Sequence, residues 1–204
     1  MRFRARFGCG KKASRPGELV AIQGVGGLGH LGIQFARRMG FRVAAIARGS
    51  EKESLAKKLG AHHYIDAKVQ EPVAALQALG GARLILATAA NSKSMSPLLG
   101  GLAPRGQLIV AGAGGDEPIS VDPVPLLFGM RSLTGTMTGS SIDAEDTVSF
   151  SSLQQIRPMI ETVPLANAAE AYGRMMRNEA RFRIVLVTGA PTKPHHAHQF
   201  QPPV

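Results

Sequence analysis

Leu19-Val20-Ala21-Ile22-Gln23-Gly24-Val25-Gly26-Gly27-Leu28-Gly29-His30 is the stretch on which the fold turns. Apolar residues run straight into a Gly-x-Gly-x-x-Gly turn, and a helical pattern follows it. The spacing has a mechanical reason. Gly24 allows the tight turn off the strand, Gly26 lets the backbone come close to a pyrophosphate, and Gly29 lets the helix pack against the strand. The amides of Gly27, Leu28 and Gly29 then point at the phosphates, with the positive end of the helix dipole behind them. Glycine-rich turns are common, so the motif alone is weak. The strand before it and the amphipathic helix after it favour dinucleotide binding over a purely structural turn.

Working outward, a period of three to four residues puts Leu28, Leu31, Gly32, Phe35, Ala36 and Met39 on one helix face, with Arg37 and Arg38 in the last turn and Gly40 as the stop. Residues 41–47 read as the second strand. Ser50-Glu51-Lys52-Glu53 reads as a capping box opening a helix that ends at Gly60. Residues 62–65 form a short third strand, whose paired histidines His62 and His63 are strand-end surface residues rather than ligands. A helix over 70–79, an unbroken apolar strand over 82–88, a helix opened by Ser96-Pro97, and strands over 107–111 and 131–136 complete the alternation. That pattern predicts an α/β Rossmann fold, a doubly wound parallel sheet of six strands in the order 3-2-1-4-5-6. Beyond Thr138 the pattern changes to an α+β segment: a helix over 143–155, an extended piece over 159–163, a helix over 167–177 and a last strand over 182–187.

Bulk composition limits the alternatives. The chain has 204 residues, 44% of them hydrophobic, which suits one domain with an appended piece. It has no Trp and two Tyr, which argues against a base-stacking surface for nucleic acid. Cys9 is the single cysteine, so neither an internal disulfide nor a multi-cysteine zinc site is available. The net charge of +10 is spread along the chain and is read as background plus a phosphate site, with no nucleic-acid partner. The uncharged run over 19–36 is broken by glycines, Gln23, His30 and Gln34, so no membrane partner is expected. Met1 to Arg15 carries six basic residues and no acid; alternate-position arginines favour an irregular start and a cytoplasmic chain over a mitochondrial leader. The expected organisation is therefore a basic start over 1–15, a dinucleotide-binding domain over 16–138, a C-terminal segment over 139–189 and a disordered tail over 190–204. The tail histidines His195, His196 and His198 are read as solvated.

The nucleotide is addressed at the end of the second strand. An NAD-specific fold offers Asp or Glu there to the ribose hydroxyls. This chain has Ala47, followed by Arg48, Gly49 and Ser50. Loss of the acid removes repulsion against a 2′-phosphate, and Arg48 is a planar multi-donor partner for one, with Ser50 and Lys52 close by. NADP is favoured, with NAD as the alternative.

GELVAIQGVGGLGHLGIQFARRMG, then AIARGSEKESLAKKLGAHHYIDA, LAPRGQLIVAGA, IRPMIETVPLANAAEAY and ARFRIVLV together resemble the cofactor-binding half of zinc-type alcohol dehydrogenases of the medium-chain dehydrogenase/reductase superfamily. The resemblance covers roughly Arg15 to Gly189. It implies hydride transfer between an alcohol and a nicotinamide. It places Gly24, Gly26, Gly27, Leu28 and Gly29 at the pyrophosphate, and Ala47 where NAD-using relatives carry Asp. Lys52 falls on an adenosine-side lysine, Thr88, Ala111 and Ala113 beside the nicotinamide, and Arg183 on an arginine that reaches the phosphates. The family begins with a catalytic domain that supplies Cys and His ligands to zinc; those ligands are absent here, so no catalytic or metal-ligating residue is assigned. Residues beyond Gly139 are then expected to lack the domain they pack on, and relatives pair through the cofactor domain, so a homodimer is expected. Hydride transfer by the chain alone is not expected. The alternative is a non-enzymatic NADPH-binding module or subunit.

Overall fold

β1 (Leu19–Gln23) is buried along its whole length, as an apolar run must be when it has a strand on either side and helices on both faces. This computed structural model describes residues 14–112, 114, 117–177 and 179–189. The basic start with Cys9, Ala113, and the tail with its histidines lie outside the described residues.

The chain divides into two compact units, the first ending at Ile156 and the second beginning at Arg157. In the first, β1 is followed by α1 (Gly29–Arg38), β2 (Arg42–Ala47), α2 (Glu53–Lys58), β3 (His63–Asp66), α3 (Pro72–Ala78), β4 (Ala82–Ala87), α4 (Ser92–Met95), β5 (Leu102–Val110), α5 (Pro123–Phe128), β6 (Ser132–Gly135) and α6 (Ser141–Leu153). The six strands are all parallel and lie in the order β3-β2-β1-β4-β5-β6. This is the predicted Rossmann arrangement.

Two apolar layers close the sheet. On one face Leu19, Ala21, Ile46, Ile65, Ile85 and Leu108 pack with Leu76, Met95 and Leu98. On the other, α1 comes close because Gly32 has no side chain: a Cβ there would lie 3.4 Å from both Ile22 Cδ1 and Leu86 Cδ2. The buried face of α1 is carried by Gly29, His30, Gly32, Ile33, Gln34, Phe35 and Ala36. Leu28 and Leu31, expected inside, are only half-buried, because the helix turns His30 and Ile33 to the sheet instead. Phe35 stacks on Phe150 of α6 with ring centroids 5.7 Å apart, which holds α6 within the first unit.

Several local expectations are corrected. Ser50–Lys52 is a short 3₁₀ turn with no side-chain cap, so the capping box expected there is absent. The carboxylate of Asp66, one strand away, takes the Gly49 amide instead. A capping box does form at Ser140, whose N–H and Oγ–H both donate to Asp143 Oδ2 at 2.8 Å. β5 begins five residues before its expected start of 107, with a register shift between the pairs Ala82–Leu102 and Leu84–Gln107. Pro104-Arg105-Gly106 forms that irregularity, with Arg105 at φ 61° and its N–H on Gly129 O at 2.7 Å. α5 was not foreseen; Asp122 caps it by accepting from Val124 N–H at 2.9 Å, with Pro123 at its first position.

The second unit holds β7 (Ile160–Pro164), α7 (Ala168–Met176) and β8 (Arg183–Val187), with β7 and β8 paired in parallel from Ile160–Arg183 to Pro164–Val187. Glu161 organises it, accepting from Arg174 Nη2 and from the Arg181 amide, each at 2.6 Å. These bonds, the backbone one first, hold the Glu161 carboxyl below the usual range. Ile160, Leu165, Tyr172, Met175 and Met176 are exposed in this unit. A two-stranded sheet with one helix buries little apolar surface by itself.

Candidate functional site

The crevice is at the carboxyl ends of β1 and β4, where the strand order reverses. Its floor is main chain. Gly24, at φ 96°, leaves β1 with its N–H on Ile46 O at 2.9 Å. Thr88, just past β4, donates its N–H and its Oγ1–H to Gln23 O, both at 2.9 Å, and its hydroxyl also lies 3.2 Å from Gly24 O. A Cβ on Gly24 would stand 2.8 Å from Thr88 Oγ1, so only glycine lets the two strand ends meet.

Across the turn, the glycines differ in what surrounds them. A Cβ on Gly29 would lie 1.7 Å from Gly24 O, so Gly29 closes the turn on itself. A Cβ on Gly26 would meet nothing within 4 Å. Gly26 is therefore bare backbone facing open space. The first helical bond is from His30 N–H to Gly26 O at 3.0 Å, so the amides of Gly27, Leu28 and Gly29 precede the helical ladder at the N-terminus of a ten-residue helix.

Two polar side chains at the turn escaped the sequence reading. His30 is fully buried, and its Nδ1 lies 2.9 Å from Gly26 O. A carbonyl can only accept, so Nδ1 carries a proton and the ring ties the turn to the first turn of α1. Gln23 is 6% exposed. Its Nε2 donates to Ser94 Oγ at 2.8 Å, and its Oε1 is a buried acceptor with no partner. The signal in both was a polar residue inside an otherwise apolar run.

At the end of β2, Ala47 is half-buried and Arg48 is exposed. The loop is held from the neighbouring strand. Asp66, paired in register with Ala47, accepts from Gly49 N–H at 2.7 Å and Lys68 N–H at 2.9 Å, and Tyr64 donates its hydroxyl to Gly49 O. The Lys68 and Gly49 amides hold the Asp66 carboxyl below the usual range. Burial, then the carboxylates of Asp66, Glu51 and Glu53, pushes the Tyr64 hydroxyl up to about 12. Ser50 is exposed and Lys52 half-buried in the 3₁₀ turn that follows. The structure thus places Ala47 at the end of β2 and Arg48, Ser50 and Lys52 on the connection that follows, with Asp66 of β3 bonded to that connection.

Of the remaining predicted residues, Ala111 follows β5 with its N–H on Ala87 O at 2.9 Å, beside Thr88 at the crevice. Arg183 is exposed on β8 in the second unit, and its N–H lies 3.3 Å from Met159 O. Among the described residues no group of three His, Cys, Asp or Glu side chains is placed to hold a metal ion, so these residues do not fit the catalytic zinc that the resemblance implies. Nor is any helix among them long and apolar enough to cross a membrane.

The zinc-binding dehydrogenase family matches residues 27–153. An alcohol dehydrogenase, patD, of Penicillium expansum is 46% identical over 172 residues, 84% of this chain and 50% of that protein. The alcohol dehydrogenase notN of an Aspergillus strain is 43% identical over the same shares. Among solved structures, the alcohol dehydrogenase of Aeropyrum pernix superposes with a TM-score of 0.76 at 27% identity, over 85% of this chain and 51% of that one. The chain spans about half the length of the relatives it matches, and the part matched fits their C-terminal half. It belongs to the zinc-binding dehydrogenase family, on the alcohol dehydrogenase side of the medium-chain dehydrogenase/reductase superfamily.

Proposed function

We propose that this chain is the NADP-binding portion of an alcohol dehydrogenase-like oxidoreductase, with NAD as the alternative ligand. The observation that carries the reading is the bare backbone at Gly26, followed by the amides of Gly27, Leu28 and Gly29 ahead of the helical ladder. A pyrophosphate there receives N–H bonds and the positive end of α1 at no cost in side-chain ordering. Gly24 and Gly29 give the turn its shape. Arg48, Ser50 and Lys52 address the adenosine side, where Ala47 leaves room for a 2′-phosphate and Arg48 supplies donors to it. Thr88 and Ala111 border the nicotinamide end. The nicotinamide, when bound, supplies the hydride chemistry; activation of the alcohol falls to groups outside the described residues.

Two partners follow from exposed apolar surface. The open edge of β6, with Leu133 on it and Val124, Leu127, Phe128 and Met130 exposed nearby, suits a second copy of this chain joined edge to edge. The exposed Ile160, Leu165, Tyr172, Met175 and Met176 of the second unit suit a catalytic domain. The alternative reading is an NADPH-binding module that works as a subunit without chemistry of its own. Fluorescence titration of the purified chain with NADPH and NADH tests the binding. Saturable NADPH binding, tighter than NADH, is expected; failure of both to bind refutes the reading.

A further inference from the structure

Cations that lie far apart in the sequence meet at the end of the sheet opposite the crevice. α1 ends on Arg37 and Arg38, β2 begins at Arg42, α2 ends on Lys57 and Lys58, and His62-His63 lead into β3. Parallel strands connected by returning helices bring all these ends to the same side. Lys57 Nζ donates to His62 O at 2.6 Å, and Arg42 Nη2 donates to Leu79 O at 2.6 Å. Both are neutral acceptors, so neither charge is compensated. Among the described residues, no carboxylate forms an ion pair with Arg37, Arg38, Arg42, Lys57 or Lys58.

The hydrogen bonds of His62 sharpen this into a site. The Val43 amide donates to His62 Nδ1 at 2.8 Å, so Nδ1 is an acceptor and the proton of the neutral ring is on Nε2. Nε2 stands 2.9 Å from Arg37 Nη1. Guanidinium nitrogens only donate. Two N–H donors therefore converge on one another at the exposed surface, an arrangement that an oxyanion shared between them relieves. Burial first, and then Arg37, His63, Arg42 and Lys57, lowers the His62 pKa; every charge acting on it is positive. Protonating the ring would add to that repulsion rather than resolve it.

We infer that Arg37 and His62 form an oxyanion site for a phosphate group, bridged by Arg37 Nη1 and His62 Nε2–H within the field of Arg42 and Lys57. It is separate from the crevice and does not depend on the dinucleotide reading. Inorganic phosphate is the probe, titrated into the whole chain against chloride at equal ionic strength. Melting temperature and the His62 ring resonances are the readouts. Phosphate is expected to raise the melting temperature saturably and shift His62, while chloride does neither. Arg37→Gln is expected to weaken binding at least tenfold. His62→Asp supplies its own carboxylate to Arg37 and to the Val43 amide, so it is expected to melt higher without phosphate and to lose the phosphate response. Gly26→Val, which blocks only the crevice, is expected to leave the response intact. A response lost in Gly26→Val but kept in Arg37→Gln would put the phosphate at the glycine turn and overturn the proposal. So would equal responses to phosphate and chloride.

Discussion

Gly26→Ala and Gly29→Ala each add one methyl group, at positions three residues apart, and the structure gives them opposite effects on stability. At Gly29 the new Cβ would lie 1.7 Å from Gly24 O and 2.9 Å from Gly24 C. That carbonyl cannot move aside freely, because Gly24 is tied to Ile46 O and to Thr88. Overpacking against side chains costs about 1–3 kcal/mol; against fixed backbone the upper end applies, about 3 kcal/mol. For a unit of this size that lowers the melting temperature by roughly 6–12 °C. At Gly26 the Cβ meets nothing within 4 Å, and Gly26 is not among the glycines with positive φ. Alanine there restricts the unfolded chain and is worth about 0.4–1 kcal/mol in favour of the fold. Thermal melts by circular dichroism, with the dinucleotide titration alongside, separate the two. Both variants should bind dinucleotide poorly, Gly29→Ala because its turn is deformed and Gly26→Ala because its methyl fills the open space. A Gly29→Ala protein melting with the wild type, or a Gly26→Ala protein destabilised as much as Gly29→Ala, would refute the division of labour.

If Arg48 receives a 2′-phosphate, Arg48→Asp should weaken NADPH binding by at least tenfold more than NADH binding; equal losses in the titration would remove that role. The depressed Asp66 carboxyl stabilises the fold above the ordinary carboxylate range, and the contribution disappears as pH falls through the lowered folded value, below about pH 4. Asp66→Asn should flatten that acid limb, measured as the urea midpoint against pH; an unchanged limb would mean that the carboxylate contributes nothing there. Amide hydrogen exchange should be faster over 157–189 than over β1, β2 and β4, because the second unit's two strands bury so little; equal protection would contradict the estimate.

The sheet was legible because its determinants are local. β1 and β4 are short apolar runs bounded by turn residues, and α1 shows its period beneath the glycines. The start of β5 is hidden because Pro104 and Gly106 break the apolar pattern where the strand itself is irregular. α5 was hidden by Pro123 and Pro125, although Asp122-Pro123 is an N-terminal signature. The glycine turn was legible for a different reason: positive φ at Gly24 and the contact at Gly29 leave no other residue type a place. Asp66, Tyr64 and His30 were not legible as parts of the site. Asp66 and Tyr64 reach the Arg48 loop only through the register of β3 against β2, and His30 bonds backward to a carbonyl whose position depends on the turn being formed.

The floor of the crevice is assembled from peptide groups of three strand ends, Gln23-Gly24, Ile46 and Thr88, whereas the Arg48 loop is held in place by side chains of β3, Asp66 on the Gly49 amide and Tyr64 on the Gly49 carbonyl. The two parts therefore answer to different kinds of sequence change. On the proposed reading, substitutions at 48, 50 or 52 would alter what the loop offers a ribose or its phosphate without disturbing the peptide groups of the crevice floor. Almost any change at 24 or 29 alters the floor itself. If the crevice holds a dinucleotide as proposed, a lineage built on this frame could exchange one nucleotide for another by drifting along a single loop while the rest of the crevice stays as it is.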